Sequence, residues 1–251
     1  LVSLALYVNA AEQFRFAHPF RSFSAPDGRH IIKLAKLGLP IALAIFFEVS
    51  VFTLVSLFIG SLGARVVASH QITLNIASLS FMVPLSIAMA LTIRVGEGVG
   101  AANVQMVAQR SVTGLCLSFF IACFAAAGMA GFADSLTAIY TQEPDIRQLA
   151  AELLTWAAIF QISDAMQANA NGCLRGFKDT TAPMYLTLLA YWCIGMPSGY
   201  ILGMTHFLTS PLGANGFWIG LVIGLTCAAG FLLIRLRTTF KRWAVSPSPT
   251  P

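Results

Sequence analysis

Charge is what this sequence has least of: 10% of its 251 residues are Asp, Glu, Lys or Arg, while 57% are hydrophobic. A soluble domain carries about 25% charged residues and about 45–50% apolar ones. A chain of this size has to cover its folded surface with polar groups, and these are too few to do so. The mean hydropathy of +0.77 points the same way. The surplus apolar surface needs lipid as its solvent. In lipid every backbone polar group must be paired within the spanning structure, which leaves helices and closed barrels. The apolar runs far exceed the roughly 9–11 residues of a barrel strand. The fold class is therefore all-α, a polytopic membrane protein.

Other absences narrow the function. The five cysteines, Cys116, Cys123, Cys173, Cys193 and Cys227, show no CxxC spacing and no neighbouring His in a zinc pattern. They lie in or near the ends of apolar runs and read as small buried hydrophobes. No nucleophile elbow, HExxH or P-loop stands in a fitting context. Gly96-Glu97-Gly98-Val99-Gly100 reads as a loop between spans rather than a phosphate-binding turn. Neither an enzyme nor a resident cofactor is expected. The net charge of +5 is not accompanied by an RNP-like or helix-turn-helix pattern, so no nucleic-acid partner is expected. The chain opens Leu1-Val2-Ser3 without Met, and its first apolar run ends near Ala11, too short for a span. It reads as the end of a helix that starts earlier, and the whole as part of a longer protein.

Six runs are long enough to cross a bilayer at about 20 residues each: 37–62, 70–93, 107–132, 146–173, 183–207 and 217–236. The fourth is the most polar. Pro84 and Pro197 fall inside the second and fifth. The expected organisation is a helix end over 1–14, a linker over 15–36, a six-helix transmembrane lobe over 37–240 and a disordered tail over 241–251. Of the 15 Lys and Arg, only Arg65 and Arg147 lie on one side of these spans. The rule that basic loops stay inside makes the other side, with the C-terminus, cytoplasmic. Gly220 and Gly224, and Gly114 and Ser118, form small-xxx-small pairs suited to close helix packing, although a lipid-facing glycine also fits such spacing.

Two acids lie well inside spans. Glu48 is about 20 Å into the first at helical rise, near the midplane. Asp164 is past the middle of the fourth. An acid at the bilayer centre costs about 2.5–3.5 kcal/mol, and such residues mark ion or proton routes. A structural carboxylate bonded between helices is the plainer reading. Phe160, Asp164, Gln167 and Asn171 follow a 4-3-4 spacing that places them on one stripe, flanked by Ser163 and Asn169. A lipid-facing helix carries no such stripe, so it is expected to line an internal cavity. Gln71 and Asn75 are four apart in the second span, with Ser78 three further on. They either line the cavity or hold helices together. Glu143, Asp134 and Asp145 fall on the outer side as solvated loop charge or as a cation-attracting mouth. His18, His30, His70 and His206 fall at span ends or in loops, with no ligand role expected.

The ordered segments Leu37–Ser50, Ser69-His70-Gln71-Ile72, Thr92–Gly96, Phe160-Gln161-Ile162-Ser163-Asp164, Gly172–Thr180 and Pro197–Ile201 resemble MATE multidrug efflux transporters of the bacterial NorM-like branch. The resemblance covers nearly the whole chain. It implies the C-terminal six-helix lobe of a twelve-helix transporter in the bacterial inner membrane. Its partners are then the lipid bilayer, a separate N-terminal six-helix lobe and organic cations, which the family exports in exchange for Na⁺ or H⁺. Glu48 and Asp164 would form the cation site, holding Na⁺ if Na⁺ is the coupling ion. Gln71 and Glu143 would be candidate drug contacts. One position departs: Phe160 stands where relatives commonly have Tyr, which removes a hydroxyl ligand and favours proton coupling or an altered Na⁺ site. Three other readings compete: a lipid-linked substrate flippase of the same superfamily, an aspartyl-type intramembrane enzyme, and an inactive fragment.

Overall fold

The computed structural model describes residues 27–207 and 210–245. The expected helix end over 1–14 and residues 246–251 of the expected tail lie outside the described residues. The described chain is helical throughout, with the elements α1 (Gly28–Gly60), α2 (Ala64–Gly100), α3 (Val104–Gly131), the short α4 (Ala133–Ala138), α5 (Pro144–Gly176), α6 (Thr181–Leu188), a π-helical segment (Leu189–Gly195), α7 (Met196–Met204) and α8 (Ala214–Val245). Two compact units are distinguished, residues 1–38 and 39–251. In the first, Asp27 caps the start of α1: its Oδ1 accepts from the Arg29 amide at 2.9 Å and its Oδ2 meets His30 Nδ1 at 2.8 Å.

Several boundaries differ from expectation. Helix α1 begins at Gly28, inside the expected linker, because the Asp27 cap outweighs the turn tendency of Gly28. The Gly96–Gly100 stretch is not a loop but the last turn and a half of α2. His70 is not at a span end but within α2 and 1% exposed. Helix α8 runs to Val245.

Among the described residues, five spans are long and apolar enough to cross a membrane: α1, α2, α3, the run Thr181–Met204 and α8. The fourth expected span exists as the 33-residue α5, yet it falls outside those five. Its position explains its polarity. Helix α5 packs against α2, α3, α4 and α8, so its polar side chains are enclosed by other helices. Thr73 Oγ1 on α2 donates to the Ala150 carbonyl at 3.3 Å, and Thr92 Oγ1 to the Gly172 carbonyl at 3.1 Å. Asn169 Nδ2 donates to Ser118 Oγ on α3 at 2.6 Å and to the Pro84 carbonyl at 3.3 Å. A β-carbon at Gly172 would run into the Ala88 carbonyl of α2. Small side chains therefore let the backbones close in, and hydroxyls and amides bridge them.

The small-xxx-small spacings are packing features. Gly220 and Gly224 of α8 lie against Gly195 and Gly199. A β-carbon at Gly220 would collide with the backbone of Gly199, which cannot rotate away as a side chain can. Gly114 faces Leu91, and Ser118 meets Asn169. Gly220→Ala is expected to destabilise the protein by about 1–3 kcal/mol through overpacking. Gly230→Ala, with open space around it, is expected to be neutral. Thermal unfolding of the two variants in detergent checks the contrast.

Candidate functional site

A helical repeat turns Glu48, Phe52 and Ser56 of α1 to one side, with Val49 and Thr53 beside them. These face Leu74, Ala77, Ser78 and Phe81 of α2 and Phe160 and Asp164 of α5, around a cavity of about 390 Å³. Asp164 is 6% exposed and Glu48 is half-buried. The charges of the two carboxylates act on each other, and neither belongs to an ion pair among the described residues. Aromatic rings line the cavity beside them. Phe160 meets Phe52 edge-on with ring centroids 5.8 Å apart, and meets Trp218 of α8 in the same manner at 5.8 Å. Carboxylates and aromatic rings lining one cavity favour organic cations, through charge and through the ring quadrupole.

The other expected site residues are distributed more widely. Gln167 and Asn171 continue the stripe of Asp164 and are buried, but they do not line this cavity. Ser163 turns to α8, where its hydroxyl meets Thr226 Oγ1 at 2.9 Å. Gln71 and Asn75 lie on an exposed face of α2, and Asn75 Oδ1 accepts a bond from the Tyr140 hydroxyl at 2.8 Å. Their neighbour Ser78 does reach the cavity. Glu143 is exposed at the start of α5. It is about 30 Å along the axis from Asp164 at helical rise, so the two cannot hold one small ligand together. Asp145 is taken up at the same end, where Arg65 Nη1 donates to its Oδ2 at 2.7 Å.

Three groups escaped the sequence reading. The first is a buried histidine hub. Trp218 Nε1 donates to His70 Nδ1 at 3.2 Å, and His70 Nε2 meets Ser56 Oγ at 3.1 Å. An indole N–H only donates, so Nδ1 must accept, and His70 is neutral with its proton on Nε2. The hub joins α1, α2 and α8 beside the cavity. The second is Arg175, half-buried with its Nε unpartnered, whose charge acts on Glu48. It lies in the last turn of α5. The third is Tyr191 in the π-helical segment, 1% exposed and with its hydroxyl unpartnered. Gln161, one turn before Asp164, is fully buried with both amide atoms unpartnered. Each of these depends on contacts between distant segments, and no local spacing marks them. Trp218→Phe keeps the ring but strands the His70 acceptor, and an unmet buried acceptor costs about 1–3 kcal/mol. A lowered unfolding temperature is therefore expected, and an unchanged one would mean the hub contributes nothing to stability.

The family model MatE matches residues 40–201. A probable multidrug resistance protein NorM from Shewanella oneidensis is 44% identical over 237 residues, covering 94% of this chain and 52% of that protein. A multidrug resistance protein MdtK from Photorhabdus laumondii is 40% identical over 236 residues, with the same shares covered. The chain thus spans about half the length of the curated relatives it matches. Among solved structures, a eukaryotic MATE transporter, AtDTX14, superposes with a TM-score of 0.84 at 19% identity, covering 98% of this chain and 55% of that one. An outward-facing multidrug resistance MATE family transporter gives 0.83 at 20% identity, covering 98% and 55%. At such identities these superpositions speak for the fold alone. The helical lobe and the relatives at 40–44% identity agree with the family model: this chain belongs to the MATE family of membrane transporters.

Proposed function

We propose that this chain is the C-terminal lobe of an antiporter that exports organic cations from bacteria in exchange for Na⁺ or H⁺. The observation that carries this reading is the cavity of about 390 Å³ in which Glu48 and Asp164 share space with Phe52, Phe81 and Phe160. The relatives named as multidrug resistance proteins support it. In this reading Glu48 and Asp164 bind the coupling ion. Neutralising them removes the negative charge that holds an organic cation on the aromatic wall, so ion and cargo alternate at one place. The polar face of Gln71 and Asn75, with Ser163, Gln167 and Asn171 behind the stripe, provides further cargo or ion contacts. Glu143 attracts cations at the outer mouth. A separate N-terminal six-helix lobe completes the path, and the positive-inside pattern sets the C-terminus in the cytoplasm of a bacterial inner membrane.

The flippase reading calls for basic side chains in the cavity to hold a pyrophosphate. No Lys or Arg lines this cavity among the described residues.

In the full-length protein, Glu48→Gln and Asp164→Asn are each expected to abolish ethidium efflux while membrane insertion is retained. Efflux at the wild-type rate in both variants rules the reading out. Driving efflux with an imposed Na⁺ gradient or an imposed pH gradient separates the two coupling ions.

A further inference from the structure

Two apolar grooves flank the first half of α3. One, of about 370 Å³, lies between α2 and α3, where Leu91, Gly114 and Leu117 stand beside two arginines, Arg94 and Arg110. The other, of about 230 Å³, lies between α3 and α8, where Val112 and Leu115 face Leu233, Leu236, Arg237 and Phe240. It follows about two turns of each helix, roughly 10 Å at helical rise. The two grooves differ in charge. In the first, Glu97 answers both guanidinium groups: its Oε2 accepts from Arg94 Nη1 at 3.2 Å and from Arg110 Nη1 at 3.0 Å. The second has no such counterpart, because neither α3 nor α8 contains an Asp or a Glu. Asp179 is already taken up by Arg235 Nε at 2.7 Å and by the Thr239 hydroxyl at 3.0 Å. Arg237, Lys241 and Arg242 are exposed and belong to no ion pair among the described residues. Lys241 follows Arg237 by four residues, which places both on one face of α8.

An apolar groove that ends in uncompensated cations matches a ligand with a hydrocarbon chain and an anionic head. Basic pockets between spans select such lipids at the membrane surface, and a guanidinium pairs with phosphate through two parallel hydrogen bonds. The depth agrees. Trp243 packs against Phe177 and Phe240, with ring centroids 5.7 and 6.4 Å apart. Tryptophan at a span end sits at the level of the headgroups. Arg237 is six residues earlier on α8, about 9 Å deeper at helical rise, a distance its long side chain spans by snorkelling. We propose that the α3–α8 groove is a binding site for an anionic phospholipid. One acyl chain lies along Val112, Leu115, Leu233 and Leu236, and the phosphate is held by Arg237 and Lys241. The α2–α3 groove, whose cations Glu97 already compensates, has no such preference for charge. The inference does not depend on the reading of Glu48 and Asp164 as the ion-coupling pair.

The test is native mass spectrometry of the purified full-length protein in detergent, titrated with phosphatidylglycerol or with phosphatidylcholine. Wild type is expected to hold phosphatidylglycerol more tightly by about tenfold or more, since each basic side chain near an anionic lipid contributes about fivefold. Arg237→Gln combined with Lys241→Gln is expected to bring the two lipids level. Arg94→Gln removes a charge on the other side of α3, where Glu97 compensates it, and should leave the preference intact. Val112 lines the groove yet is 60% exposed. Val112→Trp therefore fills the groove with every charge kept, and phosphatidylglycerol affinity should fall while the unfolding temperature stays near wild type. Soluble glycerol phosphate, which carries the phosphate without the chains, should not displace the lipid. Equal binding of the two lipids by wild type, or a preference that survives the double substitution, overturns the proposal. A preference lost equally in Arg94→Gln overturns it in favour of diffuse charge attraction. Unchanged affinity in Val112→Trp, or displacement by glycerol phosphate, overturns the seating of a chain in the groove and the site with it.

Discussion

In hydrocarbon a helix can carry polar side chains only where neighbouring helices shield them, because no water is present to satisfy them. That constraint organises this lobe around α5. Its stripe of Asp164, Gln167 and Asn171 would be expelled from a lipid-facing position. It is instead enclosed by α2, α3 and α8, and each neighbour is shaped to come close. Bulk is removed on α5 itself at Gly172, which meets Ala88 of α2, and at Gly176, which meets Val95 and Gly96. Hydroxyls and amides at Thr73, Thr92 and Asn169 then bond across the narrowed gaps. The polarity of α5 and the glycines that let α2 approach it are two sides of one requirement.

The same enclosure creates the cavity. Helix α1 contributes Val51, Val55 and Ile59 to the core and turns Glu48, Phe52 and Ser56 toward α5. The histidine hub fixes the wall: the Trp218 donor sets the His70 tautomer, His70 holds Ser56, and Trp218 also packs on Phe160. Two carboxylates are thus presented to a space with aromatic sides, in surroundings whose polar atoms are otherwise largely committed. On the proposed reading, this commitment gives the site its selectivity. The two carboxylates, which belong to no ion pair among the described residues, are the groups of the cavity free to meet a cation.

The sequence was most informative where the signal is local. Span positions follow from runs of apolar residues, and the α5 stripe follows from the helical period. Glu48 and Asp164 stood out because an acid in an apolar run is costly wherever the chain goes. Boundaries were less legible. The Asp27 cap carried α1 into the expected linker, and the Gly96–Gly100 stretch stayed helical because the ladder of α2 continues through it. Assigning His70 to a span end failed for a related reason: hydropathy registers the polarity of a histidine but not the Trp218 and Ser56 partners that make its burial affordable.

By itself, then, the sequence determined that this is an all-α membrane lobe, where its helices run, and which two acids lie within them. These properties are set residue by residue, by transfer to lipid and by the period of the helix. Only the tertiary structure decided that Glu48, Asp164 and Phe160 meet in one cavity while Glu143 stands apart. It alone paired His70 with Trp218 and buried Tyr191 in the core with Trp218 and Phe160. The period says which residues share a face of one helix. Which faces meet is decided by packing between segments far apart in the chain, through close glycine contacts and cross-helix bonds that no local spacing records.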